Sequence, residues 1–372
     1  MALIITEEQK MLKDSANELL NTKAPVNQMR VLRDAKYSSF DKELWKEMVA
    51  MGWTALTIPE SYNGLDFGYV GLGQIIEETG KTLSKSPLLS SILLGSSVLR
   101  LADNEDLKKT FFPGIMEGTI QFALALQEGK HHQADNFKTT VKRSGEGFVL
   151  NGHKNFIIDG ATANHFIVVA NSDRGLGFFL VAANTTGIKI SKDILLDAGT
   201  YGDVHFKEVY IPKNYQLNIK IKGEELLNSL LSIAYSGLSA EMLGIIQQAF
   251  DMTIKYLKER QQFGVVIGTY QALQHRAAKL FGEIELCKSI VLKSLQALDE
   301  NSEERFKYAH LAKAKLGKTV KLVTNEAIQM HGGIGVTDDA DIGFYIKRAR
   351  VVQQLFGDYN YHLDCLATMK GY

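Results

Sequence analysis

The sequence predicts an α+β protein in which helices come first, a small all-β segment follows and a helical bundle closes the chain. Three observations carry this reading. Near the N-terminus apolar residues recur at spacings of three and four, as in Leu44, Trp45, Met48, Val49 and again in Leu72, Ile75, Ile76, Thr79. Short apolar runs bounded by Gly, Asn and Asp fill the middle. Past Glu224 the helical spacing returns in one long stripe of Leu243, Ile246, Gln247, Phe250, Ile254 and Leu257. The corresponding segments are residues 1–118, 119–220 and 221–372.

From about Thr6 to Glu117 the chain reads mainly as helix, broken at Pro59-Glu60-Ser61-Tyr62-Asn63-Gly64, where proline and Asn-Gly stop helical propagation. Phe122–Leu126, Phe148–Leu150, His165–Ala170 and Gly177–Ala182 are strand-like runs, and Val204–Ile211 alternates apolar with polar. Gly145-Glu146-Gly147 reads as a hairpin turn, and Pro212 closes the β region. Further helices are expected over Lys279–Leu298, Phe306–Met330 and about Asp341–Leu355.

A chain of 372 residues exceeds one small core. Lys plus Arg and Asp plus Glu are equal at 42 each, which argues against binding to nucleic acid or a membrane surface through bulk charge. No uninterrupted apolar run has transmembrane length, so neither partner is expected. Cys287 and Cys365 are far apart and form no Cys-x-x-Cys pair, so no disulfide framework or zinc site is expected; adjacent His131 and His132 lack further ligands. The first twenty residues show no basic region followed by an apolar run, and a cytoplasmic location is the expectation.

The chemistry-bearing motifs lie in the last third. Arg260-Gln261-Gln262-Phe263-Gly264 ends a helical stripe, with Gln271 beyond it. A guanidinium at a helix end can grip phosphate oxygens, and a glycine beside it lets backbone approach a ligand. An arginine with a stop glycine is also a common helix terminus. Gln329-Met330-His331-Gly332-Gly333-Ile334-Gly335 follows another helix, and its three glycines exceed the two that a C-cap and turn would use. Leu355-Phe356-Gly357-Asp358 comes next.

Together these motifs resemble the acyl-CoA dehydrogenase family. The resemblance covers nearly the whole chain, through Met51-Gly52-Trp53…Pro59-Glu60…Gly64 and Asn151-Gly152-His153-Lys154-Asn155-Phe156-Ile157-Ile158. It implies an N-terminal helical domain, a β-barrel-like middle domain and a C-terminal four-helix bundle. It also implies FAD as cofactor. The matching Arg260 and Phe263 would reach the pyrophosphate and adenosine of a FAD held mainly by a neighbouring subunit, and Gln329 and Gly333 would do likewise. The candidate FAD contacts are therefore Arg260, Gln262, Phe263, Gly264, Gln271, Gln329, His331, Gly332 and Gly333, with Phe156 in place of the family tryptophan that covers the flavin.

Elsewhere the chain departs from the family. The usual Ile-Tyr-Glu-Gly-Thr carries the base that removes the substrate α-proton, and with Gly357 on the family glycine, Phe356 stands where that glutamate belongs. Phenylalanine cannot accept a proton. Around Gln127–Asp135 only Glu128 and Asp135 keep their family identity, and Ile158 replaces a threonine whose hydroxyl bonds the flavin. Asp358 and Glu241 are the candidate replacement bases, with Glu128 a third. Glu241 lies seven residues past Ala234, the family's alternative base position, about 10 Å along a helix axis. Tyr69, Tyr235 and Tyr359 are candidates for lining an acyl pocket.

Three readings stay open. The chain is a base-lacking subunit of a heteromeric acyl-CoA dehydrogenase, of the kind bacteria use on steroid side chains and dicarboxylic acyl-CoAs. Alternatively it is a self-sufficient homotetramer using Asp358 or Glu241. The third reading is a non-enzymatic CoA-ester-binding or assembly protein. The implied partners are an acyl-CoA, a homologous subunit or a second copy, and electron-transfer flavoprotein.

Overall fold

The computed structural model describes residues 3–35 and 40–372; residues 36–39 of the expected helical stretch lie outside the described residues. The N-terminal segment is helical, with α1 (Glu7–Lys23), α2 (Asn27–Asp34), α3 (Lys42–Ala50), α4 (Gly68–Thr82), α5 (Ser97–Leu101) and α6 (Glu105–Met116). Short polar side chains set the helix starts. Thr6 and Gln9 form a reciprocal capping box on α1, Asp41 caps α3 and Asn104 caps α6. The apolar run Leu88–Ser96, which no periodicity marked, is a buried π-helix leading into α5.

The middle segment forms β1 (Phe122–Ala125), β2 (Thr140–Ser144), β3 (Gly147–Ile158), β4 (His165–Ser172), β5 (Gly175–Ala182), β6 (Ile188–Ile194) and β7 (Thr200–Pro212). They make one sheet in the order β1-β4-β2-β3-β7-β6, with β5 also paired to β4. The expected turn is present: Ser144 pairs with Gly147 and Gly145 has φ +57°. The sheet encloses one core, built from inward positions such as Val141, Leu150, Phe166, Phe179, Val204 and Ile211 on five of its strands. Two strands escaped the sequence reading. β2 has one buried position and β6 none, so neither carries an apolar run.

The C-terminal segment begins with α7 (Gly223–Glu259), followed by the two-residue strands β8 (Gln261–Gln262) and β9 (Val265–Val266). Then come α8 (Gln271–Asp299), α9 (Arg305–His331), α10 (Ile342–Val352) and α11 (Tyr359–Met369). An 18-residue stretch of α7 is apolar enough to cross a membrane by composition, but 94% of it is buried inside the protein. The chain folds as two compact units. One gathers α1, α2, α4 and everything from Tyr235 onward; the other holds α3, α5, α6, the sheet and the start of α7 through Ala234.

Within the first unit α4 and α7 cross with their backbones touching. A Cβ on Gly244 would stand 1.9 Å from the Glu77 carbonyl oxygen, and one on Gly80 would stand 2.2 Å from that of Glu241. Only glycine at both positions permits that approach. The crossing fixes Glu241 in the helix core.

Candidate functional site

The two glycine-bearing motifs meet at one end of the first unit. β8 and β9 pair as a hairpin whose turn residues, Phe263 (φ +52°) and Gly264 (φ +80°), both occupy the left-handed region. That geometry is the reason for the glycine, and it projects the Phe263 ring into solvent at 91% exposure. At the end of α9, Gly332 also has positive φ (+69°). The His331 ring stacks on Tyr256 of α7 with centroids 4.6 Å apart, which ties the two motifs together. The His331 Nδ1–H donates to the Ala327 carbonyl at 2.7 Å, and burial lowers the ring's pKa, so it stands as a neutral platform.

Arg260, Gln262, Phe263, Gly264, Gln271, Gln329, Gly332 and Gly333 are all exposed, while His331 is buried. A Cβ at Gly264, Gly332 or Gly333 would meet nothing within 4 Å. No packing inside this chain requires the Gly333 glycine, so bare backbone is left facing outward. Such a surface fits a dinucleotide approached from outside the chain: a guanidinium, an aromatic face and backbone N–H groups stand clear of their own core.

In the other unit, Phe156 sits at a bulge in β3, between the paired positions Lys154 and Ile157, with φ +49° and its ring 40% exposed. Below it the Lys154 ammonium is wholly buried. It donates to Glu128 at 2.7 Å and to the Leu126 carbonyl at 3.0 Å, and lies over the Phe137 ring. Burial pushes Lys154 down to about 8, against the opposing pull of Glu128. Burial would raise the Glu128 carboxyl, but Lys154, Thr139 and the Lys138 N–H outweigh it and hold it below the usual range. Glu128 pins its loop with those contacts.

The two candidate bases are each engaged elsewhere. Asp358 is the N-cap of α11 and accepts from the Tyr361 N–H at 2.9 Å. Glu241 is 6% exposed, and its Oε1 accepts from the Arg348 Nε at 2.6 Å. Phe356 and Gly357 link α10 to α11 with φ +54° and +99°. A Cβ on Gly357 would meet the Tyr361 ring at 2.4 Å, so the turn is built around that glycine.

Sequence reasoning missed the side chains behind this turn. Lys313 on α9 is buried, and its Nζ donates to the carbonyls of Gln353 (3.1 Å) and Gly357 (2.9 Å). Burial pushes it down to about 7, the Asp358 charge opposing. The available signal was position: Lys313 falls on the stripe of Ala309, Leu316 and Val320, all fully buried. Beside it the His310 and His362 Nδ1 atoms lie 2.9 Å apart, and Tyr235 packs against both rings. Burial lowers His310 to about 4. Of the three tyrosines, Tyr69 and Tyr235 are buried and Tyr359 is half-buried against Gly317.

This helical–sheet–helical order, with its outward-facing arginine and glycine motifs, is that of a flavin-dependent dehydrogenase class, by match to family models. Residues 6–119, 123–211 and 222–369 match the N-terminal, middle and C-terminal domains of acyl-CoA dehydrogenase. The chain belongs to the acyl-CoA dehydrogenase family, a family of FAD-dependent oxidoreductases. It is similar to the mitochondrial short/branched chain specific acyl-CoA dehydrogenase of Bos taurus, at 25% identity over 97% of this chain and 85% of that protein. Subunit CarC of the caffeyl-CoA reductase-Etf complex of Acetobacterium woodii is 26% identical over 94% of each chain. Among solved structures, the Tcur3481-Tcur3483 steroid ACAD superposes with a TM-score of 0.90 at 25% identity, over 98% of each chain.

Proposed function

We propose that this chain is the base-lacking subunit of a heteromeric FAD-dependent acyl-CoA dehydrogenase, reaching across an interface to a FAD held mainly by a homologous partner. One observation carries the reading. Motifs that would act on a neighbour's cofactor are exposed, whereas the family resemblance puts Phe356 at the position of the base. The engagement of Asp358 as a helix cap and of Glu241 by Arg348 supports this over the self-sufficient alternative. The relative that is a subunit of an Etf complex is consistent with an assembly that passes electrons to electron-transfer flavoprotein.

Bound FAD supplies the hydride acceptor for α,β-desaturation of the acyl-CoA. This chain's residues serve binding and orientation. Arg260 would neutralise pyrophosphate oxygens, Phe263 would pack on the adenosine, and N–H groups of the Gly332-Gly333 segment would donate to phosphate. The α-proton leaves to a carboxylate of the partner. A positioned general base contributes roughly 100- to 10,000-fold to rate, so this chain alone should be nearly silent.

The test is desaturase activity of the pair formed with a homologous subunit that retains the family glutamate. Replacing that partner glutamate by glutamine should abolish turnover, while Asp358→Asn here leaves it within about twofold. Turnover that survives the partner change and disappears with Asp358→Asn or Glu241→Gln would refute the assignment.

A further inference from the structure

We infer that His153, Asp203 and His205 form a binding site for one divalent transition-metal ion of the imidazole-and-carboxylate-seeking class, Zn2+ foremost. The sheet builds this cluster directly. Asp203 and His205 are two residues apart on β7 and share its outward face, and His153 of β3 is the direct cross-strand partner of His205.

The two imidazole rings stack in parallel, with centroids 4.0 Å apart and an interplanar angle of 4°. Both aim Nε2 at the same carboxylate. The His153 Nε2 lies 2.8 Å from Asp203 Oδ2, and the His205 Nε2 lies 3.5 Å from Oδ1. One ligand atom from each residue falls within 4.8 Å of the other two. Ligands on tetrahedral zinc stand about 3.4 Å apart, given bonds of about 2.1 Å. Turning the two stacked rings out of parallel and the carboxylate toward them would set all three ligand atoms around one ion. With Nε2 metal-bound, each ring carries its proton on Nδ1.

Several features fix the ligand class. Two imidazoles and one carboxylate suit zinc, nickel, copper or cobalt over calcium or magnesium, which prefer all-oxygen sites. The ligands sit on paired strands, so little ordering opposes binding: the ladder continues through Lys154 and Val204. The side chains are 39% (His153), 23% (Asp203) and 59% (His205) exposed, which leaves room for water in the remaining coordination positions. Lys189 on β6 lies opposite His205 on its other side and competes for the local negative charge. The Ser191 hydroxyl donates to the Asp203 backbone carbonyl and so helps fix the strand that carries the carboxylate. A three-ligand, partly solvated site beside a lysine calls for micromolar affinity.

The experiment is a calorimetric titration of the untagged full chain with ZnCl2, run beside His205→Ala, His153→Ala and, as a control, a His131→Ala, His132→Ala double variant. The expected result is one saturable zinc per chain at micromolar Kd, weakened at least about tenfold by either site substitution and unchanged in the control. Saturating zinc should also raise the thermal midpoint of the native chain but not of His205→Ala. His205 is exposed, so its loss leaves the fold to be tested intact. Absence of saturable binding, or binding that persists in both single variants or vanishes in the control, would overturn the assignment.

Discussion

The Lys313 ammonium, buried on α9, donates to the Gly357 carbonyl at 2.9 Å and so holds the turn in which Phe356 stands. A second bond to the Gln353 carbonyl grips the end of α10. One lysine thus spans both sides of Phe356, and it feels the Asp358 charge. Phe356, at the centre of that turn, offers no proton acceptor.

That lysine makes stability depend on pH in a definite direction. Lys313 titrates near 7 in the folded chain and near its ordinary 10.5 when unfolded. Between those values the unfolded chain holds more protons, so stability rises with pH across the window; below about 7 both states are protonated and the dependence stops. Lys154, pushed to about 8, adds a similar slope higher up, but a Lys313→Met variant retains it. Urea denaturation of both proteins from pH 7 to 9 should show native stability gaining on Lys313→Met by about 1 kcal/mol per pH unit.

The two candidate carboxylates should separate by stability. Asn caps helices about as well as Asp, so Asp358→Asn should change unfolding free energy by less than about 1 kcal/mol. Glu241→Gln removes the charge from a largely buried ion pair and should cost more, about 3 kcal/mol. Denaturant midpoints of the two variants check this, and equal midpoints would contradict it.

The α4–α7 crossing makes Gly244 irreplaceable. Gly244→Ala forces a methyl onto the Glu77 carbonyl, which should destabilise by about 1–3 kcal/mol. Gly343 on α10 meets nothing within 4 Å, so Gly343→Ala should be neutral or stabilise by up to about 1 kcal/mol. Thermal melts of the pair give the comparison.

Arg260→Ala removes an exposed guanidinium from the hairpin that presents Phe263. In the heteromeric assembly it should weaken FAD binding about 10- to 100-fold, as loss of a charge-assisted bond does. The melting temperature of this chain alone should not move. Flavin fluorescence titration and a thermal melt read the two effects separately.

Much of the fold was legible because burial wrote it into the sequence. The stripe from Leu243 to Leu257 and the run His165–Ala170 each describe an element packed on its neighbours. β2 and β6 were not legible, since strands with one buried position or none need no apolar run. Arg260, Phe263 and the Gly332-Gly333 pair were singled out by their motifs, and the structure places all four at the surface. Lys313 and the His310–His362 pair could not. Their meaning comes from contacts 40 to 52 residues away, and a lone lysine in an apolar stripe looks like an interruption. The base candidates were legible as carboxylates, but the cap on α11 and the Arg348 partner appear only in three dimensions.

The most direct measurement is the flavin-to-chain ratio, by absorbance near 450 nm, on this chain purified alone and in complex with a homologous subunit carrying the family glutamate. The half-site account expects no flavin on the chain alone and one per pair. One tightly held FAD per chain in the isolated protein, with acyl-CoA oxidation, would contradict it.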